Sequence, residues 1–125
     1  MGELWFKPAV TVYVRHSRHT MNYMESSDTF TLTALKPGHE DALKLAGSKS
    51  GRDIDKLKES GLTAAVVDGC PTFEEAAYTI VCKKMYADEM PPENFLDKEV
   101  FDKAYTDEDY HKMYIGQIVA AYVND

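Results

Sequence analysis

Residues 114 to 123, YIGQIVAAYV, are apolar at every position except Gly116 and Gln117. A stretch of that kind has to be buried on more than one side. Read at helical spacing, Tyr110, Met113, Tyr114, Ile118, Ala121 and Tyr122 form one stripe, and Ile115, Val119 and Val123 form a second flank. The spacing predicts a final helix opening at Thr106. Asp107, Glu108 and Asp109 then occupy its first turn, where exposed amides and the helix dipole favour carboxylates.

Just upstream the chain changes character. Residues 88 to 125 hold ten Asp/Glu against three Lys, a balance of −7, whereas residues 1 to 87 hold eleven of each sign. The whole net charge of −7 therefore lies in the last 38 residues. A balance of this sign repels phosphate backbones and argues against direct nucleic-acid binding. The residues Asp97, Glu99, Asp102, Tyr105, Asp107, Glu108, Asp109 and Tyr110 combine carboxylates with aromatics and form the candidate binding face, suited to a protein partner with a basic surface.

The N-terminal half reads differently. Residues 10 to 16 alternate, with Val10, Val12 and Val14 on one face and Thr11, Tyr13 and Arg15 on the other, which is the pattern of a half-buried strand. Residues 29 to 35, TFTLTAL, repeat it, placing Phe30, Leu32 and Ala34 inward beneath three outward threonines. These two strands are expected to pair antiparallel. Their twelve-residue connection, SRHTMNYMESSD, is long for a hairpin and carries Met21, Tyr23 and Met24, so it either folds back on the sheet or projects toward a partner.

A short helix over 39 to 46 follows, then the polar GSKSG loop and a capping-box helix from Ser50 through Ile54 and Leu57 to Gly61. Residues 62 to 67 are read as a strand ended by Asp68-Gly69. Thr72 and Glu75 form a second capping box, so a helix is expected from there to Ala87 with Phe73, Ala77, Ile80 and Val81 inward. Asp97 to Tyr105 is a further amphipathic helix. The fold class expected is α+β, a two- or three-stranded antiparallel N-terminal sheet packed against three or four C-terminal helices. At 125 residues, a single domain over 1 to 125 is expected.

No catalytic signature stands out. Cys70, after Gly69 and before an expected helix N-terminus, is the best nucleophile candidate, and a small enzyme using it or a histidine is one alternative. His16 and His19 lie at HxxH spacing, but a strand end turns them to opposite faces and nothing nearby completes a metal site. GSKSG has the wrong Gly-to-Lys spacing for a phosphate loop. No cofactor or metal is indicated. Arg15, Arg18 and the neighbouring histidines form the basic cluster, suited to the acidic segment of another copy in a homo-oligomer. No run approaches the roughly 20 apolar residues of a membrane span, and the N-terminus lacks a secretory pattern, so a cytoplasmic protein is expected.

A pair of strands followed by acidic helices, with FTLTALKPGHEDALKLA leading to DKEVFDKAYTDEDYHKMY, resembles the small accessory proteins of tailed bacteriophages and is similar to their tail-assembly chaperones across residues 28 to 124. The resemblance implies a non-enzymatic interaction or assembly factor in a host cytoplasm, with a phage inhibitor of a host defence enzyme that imitates nucleic-acid charge as the other alternative. It assigns no residue a role.

Overall fold

The computed structural model describes residues 1–48 and 60–124. Seven strands dominate it: β1 (Gly2–Leu4), β2 (Lys7–Arg15), β3 (Thr29–Leu35), β4 (Ala64–Val67), β5 (Cys70–Phe73), β6 (Ala76–Glu89) and β7 (His111–Val123). The helices are short: α1 (Thr20–Ser26), α2 (Glu40–Ser48), a single 3₁₀ turn (Pro92–Asn94) and α3 (Lys98–Ala104). One antiparallel sheet runs in the order β1-β2-β7-β6-β3, and β4 with β5 makes a separate hairpin.

The expectation of a small sheet packed against C-terminal helices is overturned, because its two longest helices are strands. The segment 76–89 looked helical because its buried residues, Ala76, Thr79, Val81 and Cys82, do not keep a period of two. The extra residues of β6 are Ala77, skipped in the pairing with β3 between Ala76 and Tyr78, and Met85, skipped in the pairing with β7 between Lys84 and Tyr86. Each bulge inserts an extra residue, and two of them turn strand alternation into apparent helical spacing. The capping box is spent elsewhere: Thr72 Oγ1 lies 2.6 Å from Thr79 Oγ1, and the Glu75 carboxylate accepts from the Thr63 amide.

β7 misled for another reason. Tyr114, Ile115 and Gly116 are buried in succession, so both faces of the sheet are covered there and alternation vanishes. What marks the segment as a strand is its content of two isoleucines, two valines and two tyrosines in thirteen residues. Asp107 to Asp109 open no helix; the Asp109 amide donates to Asp107 Oδ1 at 3.2 Å in a turn.

β2, β3, α2, β4 and α3 form close to where the sequence places them. The pairing of β2 with β3 does not. β2 pairs with β7 and β3 with β6, so the β6–β7 pair lies between the two. Three strand spacings, about 14 Å, separate them, and the long connection spans the gap as α1. It folds back: Met21 and Met24 join Val10, Phe30, Cys82 and Tyr114 in the core, flanked by Val12, Val14, Leu32, Ile80 and Ile118. The expected loop at 47–51 and the capping-box helix from Ser50 lie mainly outside the described residues.

Candidate functional site

The threonine row of β3 faces a groove. Thr29, Thr31 and Thr33 line it with Phe30; Thr20, Tyr23 and Met24 of α1, followed by Ser26 and Ser27, form one wall, and Ala64, Ala65, Pro71, Thr72 and Phe73 of the β4–β5 hairpin form the other. Its volume is about 720 Å³, within the range of small-ligand sites. The walls are apolar with hydroxyls set among them, and among the described residues no charged side chain lines them.

Local chemistry fixes each wall. The hairpin turns at Asp68 and Gly69, both at positive φ (51° and 75°), the conformation a two-residue hairpin turn demands. It is tied down by Thr31 Oγ1, which donates to the Pro71 carbonyl at 2.7 Å, by the contact of Thr72 with Thr79, and by the Tyr122 hydroxyl, which donates to the Asp68 carboxylate. The α1 wall is held by its two core methionines and by Lys84, whose ammonium donates to the Met24 carbonyl from β6. On the exposed side of α1, Tyr23 stands edge-on to His19, ring centroids 5.2 Å apart, with its hydroxyl 3.3 Å from His19 Nε2.

A smaller cleft of about 320 Å³ lies between Arg15, Ser17 and Arg18 and the 104–109 turn. Arg15 donates to the carbonyls of Asp109 (2.7 Å) and Ala104 (3.0 Å) and stands 5.4 Å from the Tyr105 ring centroid. Ser17 donates to the Asp109 carboxylate through its amide, at 3.0 Å, and its hydroxyl. Burial works against the Asp109 charge, but the Ser17 hydrogen bonds and the Arg15 charge hold its carboxyl below the ordinary value. Basic loop and acidic segment thus meet within one chain.

The residues of the candidate binding face lie on the excursion between β6 and β7, and none lines the groove. Asp97 caps α3 by accepting from the amides of Glu99 (3.0 Å) and Val100 (3.1 Å), and Glu99 pairs with Lys103 at 3.1 Å. Tyr105 and Tyr110 pack with Phe95 and Phe101 in an aromatic cluster, the Tyr105 hydroxyl lying 2.6 Å from His111 Nδ1. Asp102 and Glu108 are exposed, Glu108 at φ 61° in the turn. Cys70 begins a strand instead of preceding a helix, is buried, and lies 3.5 Å from Thr29 Oγ1, so the electrostatic reason for a reactive thiolate is absent. His16 turns to Glu89 at 2.5 Å and His19 to Tyr23, so the HxxH pair does not converge.

Residues 5–125 match the model of the flavin reductase like domain. The chain belongs to that family. This overturns the resemblance to tail-assembly chaperones and, with it, the phage assembly factor and the phage host-defence inhibitor. Solved structures agree on the fold. Flavoredoxin from Methanosarcina acetivorans superposes with a TM-score of 0.75 at 17% identity, covering 100% of this chain and 57% of that one. An FMN-binding protein from Thermus thermophilus, solved with p-hydroxybenzaldehyde, gives 0.72 at 20% identity over 100% of this chain and 60% of its own. Flavoredoxin of Desulfovibrio vulgaris gives 0.70 at 20% identity over 94% and 54%. This flavin reductase like chain has the split-barrel fold and spans between half and two-thirds of those proteins' length. No curated protein matches it.

The groove can be tested against a flavin, a flat three-ring system with a polar tail. Phe30, Phe73, Pro71, Met24 and the two alanines offer an apolar bed for a planar ring, and the rows of Thr and Ser offer hydrogen bonds to its edge and to a sugar. The fit is good for the ring. For a phosphate the described lining residues supply no cation, and Arg15 and Arg18 are in the other cleft. Sequence reading missed the groove, although its signals were the threonine row and the apolar 17–28 connection. Among the described residues no helix is long and apolar enough to cross a membrane.

Proposed function

We propose that this flavin reductase like chain is the flavin-binding part of an oxidoreductase. What supports the reading is the family match over residues 5–125 together with an apolar, hydroxyl-lined groove of suitable size. A flavin bound there supplies two-electron redox chemistry. The chain's part would be to bind and shield: Phe30 and Phe73 would hold the ring, Thr29, Thr31 and Thr33 would offer hydrogen bonds to its edge, and the β4–β5 hairpin would cover it on one side.

The test is a titration of FMN and FAD into the purified gene product, followed by flavin fluorescence and by consumption of reduced nicotinamide. Saturable quenching, weakened at least tenfold by Thr31→Trp in a chain that still folds, is the expected result. Absence of saturable binding to either flavin overturns the proposal. The acidic, aromatic excursion of residues 97 to 110 is read here as a surface for a protein partner of the same oxidoreductase.

A further inference from the structure

We propose that the Tyr23 hydroxyl donates a hydrogen bond to a ring carbonyl oxygen of the flavin in the groove, and that His19 is the positioning residue that leaves that proton free to do so. The inference rests on the flavin-binding reading above and concerns two residues of this chain.

The argument starts from an orphan atom. His19 Nδ1 is buried and has no hydrogen-bond partner among the described residues, while its Nε2 lies 3.3 Å from the Tyr23 oxygen. A neutral imidazole carries one N–H. On Nδ1 that proton would make a buried donor with nothing to accept it. On Nε2 it has the Tyr23 oxygen as acceptor, and only a lone pair is left unpartnered at Nδ1. Buried unpaired N–H groups are rarer and costlier than under-used acceptors. The proton therefore belongs on Nε2.

The consequence passes to Tyr23. Its oxygen accepts from His19, so its single hydroxyl proton is not spent on that contact. The side chain is 64% exposed and lines the groove on the wall facing the β4–β5 hairpin. His19 is the N-cap residue of α1, with helical φ and ψ, and Tyr23 follows four positions on, where side chains stack along one face; the edge-on packing at 5.2 Å and 89° sets the phenol's direction. The Ser26 hydroxyl donates to the Tyr23 carbonyl at 3.2 Å and steadies the same turn. Among the described residues the groove walls carry no charged side chain, and of the acceptors on a flavin ring's edge the two carbonyl oxygens project furthest beyond it, ahead of the ring nitrogens.

The test joins a spectroscopic and a binding measurement on the full chain. Nitrogen-15 NMR of His19 should show the Nε2–H tautomer. Tyr23→Phe should weaken FMN by about 3- to 10-fold, the worth of one neutral hydrogen bond, and riboflavin, which has no phosphate, by the same factor. His19→Leu should match that loss, His19→Gln should restore binding because its amide N–H replaces Nε2–H, and the Tyr23→Phe/His19→Leu double variant should be no weaker than either single one. An Nδ1–H tautomer, unchanged binding in Tyr23→Phe, or a loss confined to FMN overturns the inference. If wild-type chain binds neither flavin, the function proposed above falls and takes this ligand assignment with it. Flavin binding that Tyr23→Phe leaves intact overturns this inference alone.

Discussion

Gly116 leaves the space that the Phe30 ring fills. A Cβ on Gly116 would stand 2.7 Å from both Cε1 and Cζ of Phe30 and 3.1 Å from Cβ of Cys82. The ring belongs to the core and also forms part of the groove, so the fit couples stability to the site. Gly116→Ala should cost about 1–3 kcal/mol, the usual cost of overpacking, seen as a lower urea midpoint at unchanged slope. A variant as stable as wild type would show that Phe30 has room to move.

Tyr114 is 0% exposed and its hydroxyl donates to Met21 Sδ at 3.2 Å. The ring fills volume between β7 and α1, and the hydroxyl's bond to sulfur is a weak one, with the Glu25 carboxylate also within its reach. Tyr114→Phe should therefore cost no more than about 1 kcal/mol, and Tyr114→Ala about 3–5 kcal/mol. Denaturation of both variants checks the order.

The Glu25–Lys112 pair, 2.5 Å apart, gives stability a dependence on pH at both ends. The Lys112 hydrogen bond holds Glu25 below its ordinary 4.5, and the Glu25 hydrogen bond raises Lys112 above its ordinary 10.5. The carboxylate's contribution is present above pH 4.5 and is lost as pH falls through the lower folded value; the ammonium's is complete below 10.5 and is lost as pH rises through the higher one. Glu25 is about half exposed, so the pair is worth at most about 1 kcal/mol. Glu25→Gln should flatten the acid limb of the stability curve, and an unaltered limb would contradict the assignment.

His111 titrates in the opposite sense to a histidine that gains an acidic partner. Burial, then the Arg15 charge, lowers its pKa below 6.5, with Asp109 opposing. The folded chain resists protonation, so stability is complete above pH 6.5 and declines as pH drops toward the folded value. The His111 ring proton signal in NMR should move with a midpoint below 6.5. A midpoint above that would mean that Asp109 outweighs burial.

Tyr122 ties the hairpin wall to the barrel through Asp68. Tyr122→Phe should leave global stability nearly unchanged yet speed amide exchange across β4 and β5 several-fold, because that hairpin is a small separate sheet. Hydrogen exchange by mass spectrometry would show it. Unchanged rates would assign the wall's order to the Thr31–Pro71 and Thr72–Thr79 contacts.

The parts of the fold legible in the sequence are those whose burial is one-sided. β2 and β3 alternate because one face of each packs on the core, and α3 is visible through its Asp97 cap. β6 and β7 are hidden by physical causes, the bulges at Ala77 and Met85 in one and two-sided burial in the other. The site was half visible. The threonines at 29, 31 and 33 and the apolar 17–28 connection were singled out, but not the hairpin that meets them, because Ala64, Ala65 and Pro71 carry no chemical mark of a binding wall.

The sequence by itself determined which residues must leave water, where β2, β3 and α3 form, and that Met21 and Met24 belong to a connection able to fold back. Tertiary structure decided the rest: that β2 and β3 are separated by the β6–β7 pair, that α1 bridges them, and that a threonine row becomes one side of a groove. The reason is that strand pairing joins residues as distant as Val10 and Gly116 through backbone hydrogen bonds. Every residue can make those bonds, so no side-chain pattern along the chain records which strands meet.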